Sequence, residues 1–345
     1  MAPVRPESQE ESVGRLSGRT GGRVVVTGAA GFVGGHVVDR FVRDGWDVVA
    51  LVRPGGGAPR VHKSVHIVQR DLTQPNALAD VLRGGDVVVH LAGRAHVMRE
   101  RAADPLAAFR AANVAPTELL CETAARAGVA HVVFASSSKV FGEGRERPYS
   151  ITDPMSPAEP YSQSKAEAEA VVARAGNAGS FRWTILRPPF VYGPGGKGNF
   201  PRLVALARLS TFVPLPLASI ENRRSIVFVG NLADVIAHLV RHPQSSTRIV
   251  LPTDAEDVST PELIRAIAAA IGSRARLFRC PPVLLRTAAR VIGRSAEMDR
   301  LTESLRLDSR YLREELAWQP PFGLERSLAL SIQPPVGRST TEMRV

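Results

Sequence analysis

Arg23-Val24-Val25-Val26-Thr27-Gly28-Ala29-Ala30-Gly31-Phe32-Val33-Gly34 decides the fold of this chain. Its β-branched opening reads as a strand buried on both faces of a parallel sheet. A glycine-spaced turn follows at once, and Gly35 to Asp44 then reads as a helix. Gly28 permits the tight turn, Gly31 lets a pyrophosphate approach the backbone, and Gly34 lets the helix lie close to the sheet. The helix N-terminus then stabilises phosphate charge. The spacing G-x-x-G-x-x-G is one residue longer than the usual dinucleotide fingerprint. Its placement between strand and helix points to nucleotide binding, with a plain strand-to-helix turn as the alternative.

Working outward, the same strand signal recurs. Trp46 to Arg53 and His66 to Gln69 read as the next two strands, the latter followed by Asp71-Leu72. Asp86 to Gly93 is another buried run, and its end, Leu91-Ala92-Gly93, is small enough for a ligand to lie against the backbone. His131 to Ser138 is a further strand that opens into three hydroxyl side chains. Strands alternating with helices over Arg23 to about Leu186 imply an α/β fold, a Rossmann-like doubly wound parallel sheet, whose ligands gather at the strands' carboxyl ends.

Tyr161 and Lys165 stand four apart at the head of a helix-forming stretch, Ala166 to Ala170. That spacing puts both side chains on one helical face. A phenol with a free pKa of about 10 is a poor base at neutral pH, and a neighbouring cation favours its phenolate. Alone, the pair also suits a solvated helix face, and Ser136 to Ser138 a serine turn. Ahead of them, a strand that ends in serines could bring a hydroxyl beside Tyr161.

Together these residues resemble the extended short-chain dehydrogenase/reductases, in particular the NAD-dependent epimerase/dehydratase family of nucleotide-sugar enzymes. The likeness runs from about Arg23 to Leu330. It includes Tyr-x-x-x-Lys, the serines before Val140-Phe141-Gly142, the run Leu186 to Pro194, Asn222 to Val229, and Leu316 to Pro320. Bacterial UDP-sugar 4-epimerases and 4-keto-reductases are the nearest subgroup by this reading, which His90 to Met98 and Gly196 to Phe200 support. The resemblance implies a catalytic set of Tyr161 as acid/base, Lys165 as its activator and ribose anchor, and Ser137 as the catalytic hydroxyl. It implies cofactor contacts from Gly28, Gly31, Phe32, Val33, Gly34, Arg53, Asp71, Leu72, Leu91, Ala92, Gly93, Asn113 and Pro188. Ser137, Ser138, Tyr161, Asn199 and Arg224 would bind substrate, with Arg224 gripping the pyrophosphate in a bidentate manner. No metal is expected. Two departures stand out: Phe190 replaces a frequent asparagine, and Arg53 follows the second strand where an acidic residue would favour NAD. NAD is the expected cofactor, with NADP possible through Arg53. The expected reaction is C4 epimerisation of a UDP-hexose or UDP-N-acetylhexosamine through a 4-keto intermediate. A NAD(P)H-dependent UDP-4-keto-6-deoxyhexose reductase, or a non-catalytic NAD(P)-sensing scaffold, are the alternatives. The likeness also implies a homodimer.

Composition fits a globular enzyme. The chain has 345 residues, 44% hydrophobic and 22% charged, enough for a large core. No apolar run approaches the roughly 18 residues of a membrane span. Cys121 and Cys280 suggest a reducing cytoplasm. Residues 1–22 read as a disordered leader and 331–345 as a tail. The sheet domain takes 23–186, with 225–242 returning to it. A smaller, discontinuous C-terminal substrate domain takes 187–224 and 248–330. The net charge of +11 is partly local, with nine arginines against four carboxylates from Arg274 to Arg310. Pro282 to Gly293 reads as an amphipathic helix burying Leu284, Leu285, Ala288, Val291 and Ile292 beside a stripe of Arg286, Arg290 and Arg294. We read that stripe as a solvated face with some anion-holding role. Contact with nucleic acid or an acidic membrane is the alternative, and no nucleic-acid-binding motif accompanies it.

Overall fold

The computed structural model describes residues 21–56, 62–95 and 102–332, apart from 143, 146, 197, 243–247, 292 and 294. The expected leader and tail lie almost wholly outside these, as do His96 to Met98 and Lys197. The strands are β1 (Arg23–Thr27), β2 (Asp47–Val52), β3 (His66–Gln69), β4 (Val87–His90), β5 (His131–Ala135), β6 (Arg182–Leu186), β7 (Phe190–Tyr192), β8 (Ile226–Phe228) and β9 (Arg248–Val250). The helices of the first half are α1 (Phe32–Arg43), α2 (Pro105–Asn113), α3 (Ala115–Ala127), α4 (Pro160–Asn177) and α5 (Asn199–Phe212). They are followed by α6 (Val229–Arg241), α7 (Thr260–Ala270), α8 (Pro282–Val291), α9 (Ser295–Thr302), α10 (Arg310–Glu314) and α11 (Leu324–Ile332).

Seven strands form one sheet in the order β3-β2-β1-β4-β5-β6-β9, and every pairing is parallel. The strand order reverses between β1 and β4, which creates the crevice where such sheets take ligands. The valine runs explain the burial. Val24 and Val26 face a core with Val37, Val38 and Phe41 of α1 and Ile236 and Leu239 of α6. Val25, between them, faces Leu120 of α3 and Val172 of α4 on the other side. Period-two alternation thus supplies both faces of the sheet, and each buried valine contributes about 1.5 kcal/mol or more.

Two sequence expectations need correction. Arg248–Val250, given to the substrate domain, pairs with β6 as the edge strand of the large sheet. The main sheet therefore recruits chain from beyond its first 186 residues. In α8 only Leu285 and Ala289 are buried, while Leu284, Ala288 and Val291 are exposed. The helix docks through that i, i+4 edge, which turns the expected apolar stripe away from the protein. Ile292 lies outside the described residues. The smaller core gathers Tyr192 of β7, Phe228 of β8, Phe200 of α5, Ile264 of α7, Leu285 of α8 and Leu328 of α11.

Gly34 shows how tightly α1 sits on the turn. A Cβ there would lie 2.2 Å from the Gly28 carbonyl oxygen and 2.8 Å from Ala29 Cα. At Gly35 it would meet only Ala29 O, at 4.0 Å. Gly34→Ala is expected to lower the unfolding free energy by about 1–3 kcal/mol. Gly35→Ala should leave it unchanged or raise it by up to about 1 kcal/mol. Urea denaturation of the two variants checks this contrast.

Candidate active site

The glycine turn is built as a phosphate cradle. Gly28 adopts φ +66°, and a Cβ there would strike the Ala92 amide nitrogen at 2.8 Å. The turn closes through the Gly31 amide on Gly28 O at 2.9 Å. Gly31 caps α1 without a side-chain hydrogen bond, and the first turn has no acidic residue. The free amides and positive dipole end therefore suit an anion. A Cβ at Gly93 would reach Asn113 Oδ1 at 2.9 Å. These positions, where a side chain would fill the approach, fit a dinucleotide along the β1 and β4 ends. Phe32 and Val33 are half-buried at the helix start, and His36 Nε2 lies 3.2 Å from the Pro194 carbonyl oxygen.

Beneath the cradle runs a buried polar chain. Thr27 and His90 are register partners on β1 and β4, with Thr27 Oγ1 2.7 Å from His90 Nδ1. Thr27 Oγ1 also accepts the amides of Leu91 and Ala92 at 3.2 and 3.1 Å. His90 Nε2 is 3.1 Å from Thr117 Oγ1, whose own proton goes to the Asn113 carbonyl at 2.6 Å. Thr117 can then only accept from His90, so the imidazole carries its proton on Nε2 and accepts at Nδ1. Burial, with the Lys165 charge second, pushes His90 down to about 3 and keeps it neutral. Asn113 continues the chain. Its Oδ1 accepts the Arg94 amide at 2.7 Å, and its Nδ2 donates to Arg94 O and to Ser164 Oγ at 3.2 and 2.9 Å. Ser164 Oγ donates to the Tyr161 carbonyl at 2.8 Å. Asn113, assigned to the cofactor from sequence, has both amide protons engaged within the protein.

Tyr161 sits in the first turn of α4, just after Pro160, which is preorganised for a helix start. The Glu159 amide donates to Ser162 Oγ at 3.0 Å and secures that start. Phe109 packs edge-on against the Tyr161 ring at 5.9 Å. The nearby Ser137 hydroxyl pulls the phenol down, yet burial dominates and pushes it up to about 12. Lys165, only 5% exposed, lies 4.1 Å above the Phe134 ring. Burial pushes its ammonium down to about 7, against the attraction of Glu169. Glu169 is held by Arg187, whose Nη2 approaches to 2.6 Å with both groups almost fully buried, and it also accepts from Ser136. Ser136 is thus committed to a structural bond, which leaves Ser137 as the hydroxyl beside Tyr161. Ser138 is buried, its amide donating to Pro188 O at 2.9 Å.

The remaining sequence candidates stand elsewhere. Arg53 is exposed just past β2. Asp71 accepts the Thr73 amide and hydroxyl at 3.0 and 2.8 Å. These bonds hold its carboxyl below the usual range, with Arg53 adding a smaller pull. Leu72 packs on the sheet core. Asn199 is exposed at the start of α5. Arg224 is half-buried, its backbone bridged to Val258 and Leu305 and its Nη1 3.4 Å from Glu303 O. Sequence reasoning gave no role to Thr27, His90, Thr117, Ser164, Glu169 or Arg187. The clearest available signal was a histidine closing an otherwise all-valine buried strand. Among the described residues no group of three or more His, Cys, Asp or Glu is placed to hold a metal.

A parallel sheet, a glycine cradle at its switch point and a Ser-Tyr-Lys cluster beside it define a nucleotide-dependent enzyme of the short-chain dehydrogenase/reductase class. The model of the NAD dependent epimerase/dehydratase family matches residues 24–251, and the chain belongs to that family. It is 34% identical to a UDP-glucose 4-epimerase of Vibrio cholerae, over 90% of this chain and 94% of that protein. It is 31% identical to a UDP-glucose 4-epimerase of Mycolicibacterium smegmatis, over 90% and 97%. The solved UDP-glucose 4-epimerase of Thermus thermophilus, in complex with NAD, superposes with a TM-score of 0.70 at 25% identity, over 90% and 97%.

The buried ammonium has a measurable cost. Lys165 has a folded pKa of about 7, against about 10.4 when unfolded. The fold is therefore penalised fully below about pH 7, and the penalty fades as pH rises toward the unfolded value. Lys165→Met should stabilise the cofactor-free protein by about 1–4 kcal/mol at pH 6, shrinking toward zero near pH 10. Thermal unfolding at the two pH values checks this, and a gain that grows with pH would contradict the assignment.

Proposed function

We propose that this enzyme is a nucleotide-sugar 4-epimerase acting on a UDP-hexose or UDP-N-acetylhexosamine. The observation that carries the reading is Tyr161 and buried Lys165 one turn apart at the head of α4, with Ser137 close enough to act on the phenol. The relatives named as UDP-glucose 4-epimerases, which match almost end to end, supply the substrate class. NAD is the cofactor in this reading, held by Gly28, Gly31 and Gly34 with the α1 amides on its pyrophosphate. Bound there, it supplies a hydride acceptor and donor, and its cationic ring favours the Tyr161 phenolate. Without it the phenol, at about 12, is protonated at neutral pH.

The chain's own residues manage the proton. Tyr161 removes it from the sugar C4 hydroxyl as the 4-keto intermediate forms, and returns it to the opposite configuration. Ser137 donates to the same oxygen and holds it near the phenol. Lys165 acts from one turn further along α4, and Asn113 and Ser164 fix the backbone that carries Tyr161. Arg224, with Asn199, is assigned the pyrophosphate end of the substrate. Arg53 beside Asp71 leaves room for a 2′-phosphate, so NADP is the variant of this reading to compare.

The reading includes a homodimer, for which equilibrium sedimentation should return twice the 37.1 kDa chain mass. Cys121 and Cys280 are unpaired, which suits a reducing cytoplasm. No helix among the described residues is long and apolar enough to cross a membrane.

Purified protein incubated with UDP-N-acetylglucosamine or UDP-glucose, without added reduced cofactor, should yield galacto-configured anomeric signals by NMR. Stoichiometric consumption of NADH or NADPH on a UDP-4-keto-6-deoxy sugar, without those signals, would identify the reductase instead. Tyr161→Phe should lower turnover by about 10²–10⁴-fold while cofactor binding, read by fluorescence, is retained.

A further inference from the structure

One end of the smaller domain is both apolar and cationic. Residues 199–220 and 272–296 carry eight arginines and no carboxylate, eight of the chain's net +11 charges. The two segments lie together. The Arg276 amide donates to Ser210 O at 2.8 Å, the Leu215 amide to Arg276 O and the Phe278 amide to Leu215 O at 2.9 Å each, and the Ala218 amide to Phe278 O at 3.1 Å. At this end Phe212 is 80% exposed, Phe278 49%, Val283 72%, Leu284 60% and Val291 82%. A few large apolar side chains at a surface need no explanation, but a group clustered at one end does.

Helix α8 sets out the pattern. Leu285 and Ala289 pack inward. Val283, Leu284 and Val291 point away from that edge, and Arg286 and Arg290 flank the outward face at helical spacing. Several arginines elsewhere are paired with carboxylates: Arg23 with Asp86, Arg110 with Glu167, Arg187 with Glu169, Arg223 with Glu262. Among the described residues Arg208, Arg276, Arg279 and Arg290 form no ion pair, and Arg286 reaches only the Thr302 hydroxyl, at 3.4 Å. Unpaired guanidinium groups bordering an exposed apolar helix face match the chemistry of an anionic bilayer surface. Apolar side chains enter the acyl boundary and the arginines meet lipid phosphates. A nucleic-acid surface needs the charge but leaves the valines, leucine and phenylalanines unexplained.

We propose that this end, α8 with the α5 C-terminus and Phe278, docks the enzyme peripherally on anionic phospholipid membranes. The inference is independent of which sugar is turned over. Full-length protein should co-sediment with vesicles of equal parts phosphatidylglycerol and phosphatidylcholine, not with phosphatidylcholine alone, and added salt should release it. Arg279→Gln with Arg290→Gln should weaken partitioning about thirty-fold. Leu284→Gln with Val291→Gln should weaken it at least about tenfold. Both double variants should keep the wild-type unfolding temperature and turnover, because all four side chains are exposed and outside the active site. Four results would overturn the proposal. They are no capture by anionic vesicles, equal capture by neutral ones, capture that survives both double variants, and loss of self-association in Leu284→Gln/Val291→Gln without any vesicle binding. Duplex DNA that binds both the wild type and Leu284→Gln/Val291→Gln equally, with vesicles ignored, would assign the charge to nucleic acid instead.

Discussion

The catalytic half depends on one row of buried hydrogen bonds, from Thr27 through His90, Thr117 and Asn113 to Ser164 and the Tyr161 backbone. It joins the end of β1 to the end of β4, then α2, α3 and α4. The sheet's switch point must leave a crevice for a ligand, and a crevice cannot be held open by apolar packing alone. A polar row with every proton assigned holds it at fixed geometry, because each buried donor left unmet would cost about 1–3 kcal/mol. The neutral imidazole of His90 is the hinge of this scheme. Protonation would replace its acceptor at Nδ1 with a second donor, against Thr27, which already accepts two amides.

That rigidity has a chemical counterpart. The row leaves Lys165 beside it without a buried acceptor of its own. The carboxylate that attracts it, Glu169, is neutralised by Arg187 and bonded by Ser136. The lysine is therefore held in an environment that favours its neutral form, and the phenol next to it favours its protonated form. Both shifts have the same cause, removal from water, and both oppose the charges that proton transfer requires. Charge arriving with bound ligands is what this environment responds to most strongly, since a low dielectric magnifies it.

Much of this was legible in the residues. The valine runs gave the buried parallel strands, because only a sheet covered on both faces tolerates such continuous apolar stretches. The spacing Gly28, Gly31, Gly34 marks the tight turn between β1 and α1, and Tyr161 with Lys165 marks the start of α4, where the proposed chemistry is placed. What was not legible depends on three-dimensional partners. Asn113 reads as a ligand contact until its amide is seen spent on Arg94 and Ser164. The resemblance singles out Ser137 by its place before Val140-Phe141-Gly142, but that Ser136 is structural shows only in its bond to Glu169. β9 is too short for a strong periodic signal, and it joins the sheet through pairing with β6 that no local pattern encodes.

Helix α8 shows the same limit from the opposite direction. Its apolar stripe was read as core because a helical period of apolar residues usually packs inward. Which side of a short helix packs is set by the neighbours available, here through Leu285 and Ala289, and the stripe is left outside. Net charge was equally ambiguous as a sum. The same guanidinium group is neutralised at Arg23, Arg110 and Arg187 of the sheet domain, where a carboxylate lies within reach, and left uncompensated in segments that contain none. An arginine's meaning therefore depends on the carboxylates and apolar groups around it. At α8 the absence of carboxylates in sequence coincides with outward-facing Val283, Leu284 and Val291. Either feature alone describes an ordinary surface, whereas their coincidence on one helix is what an anionic interface selects for.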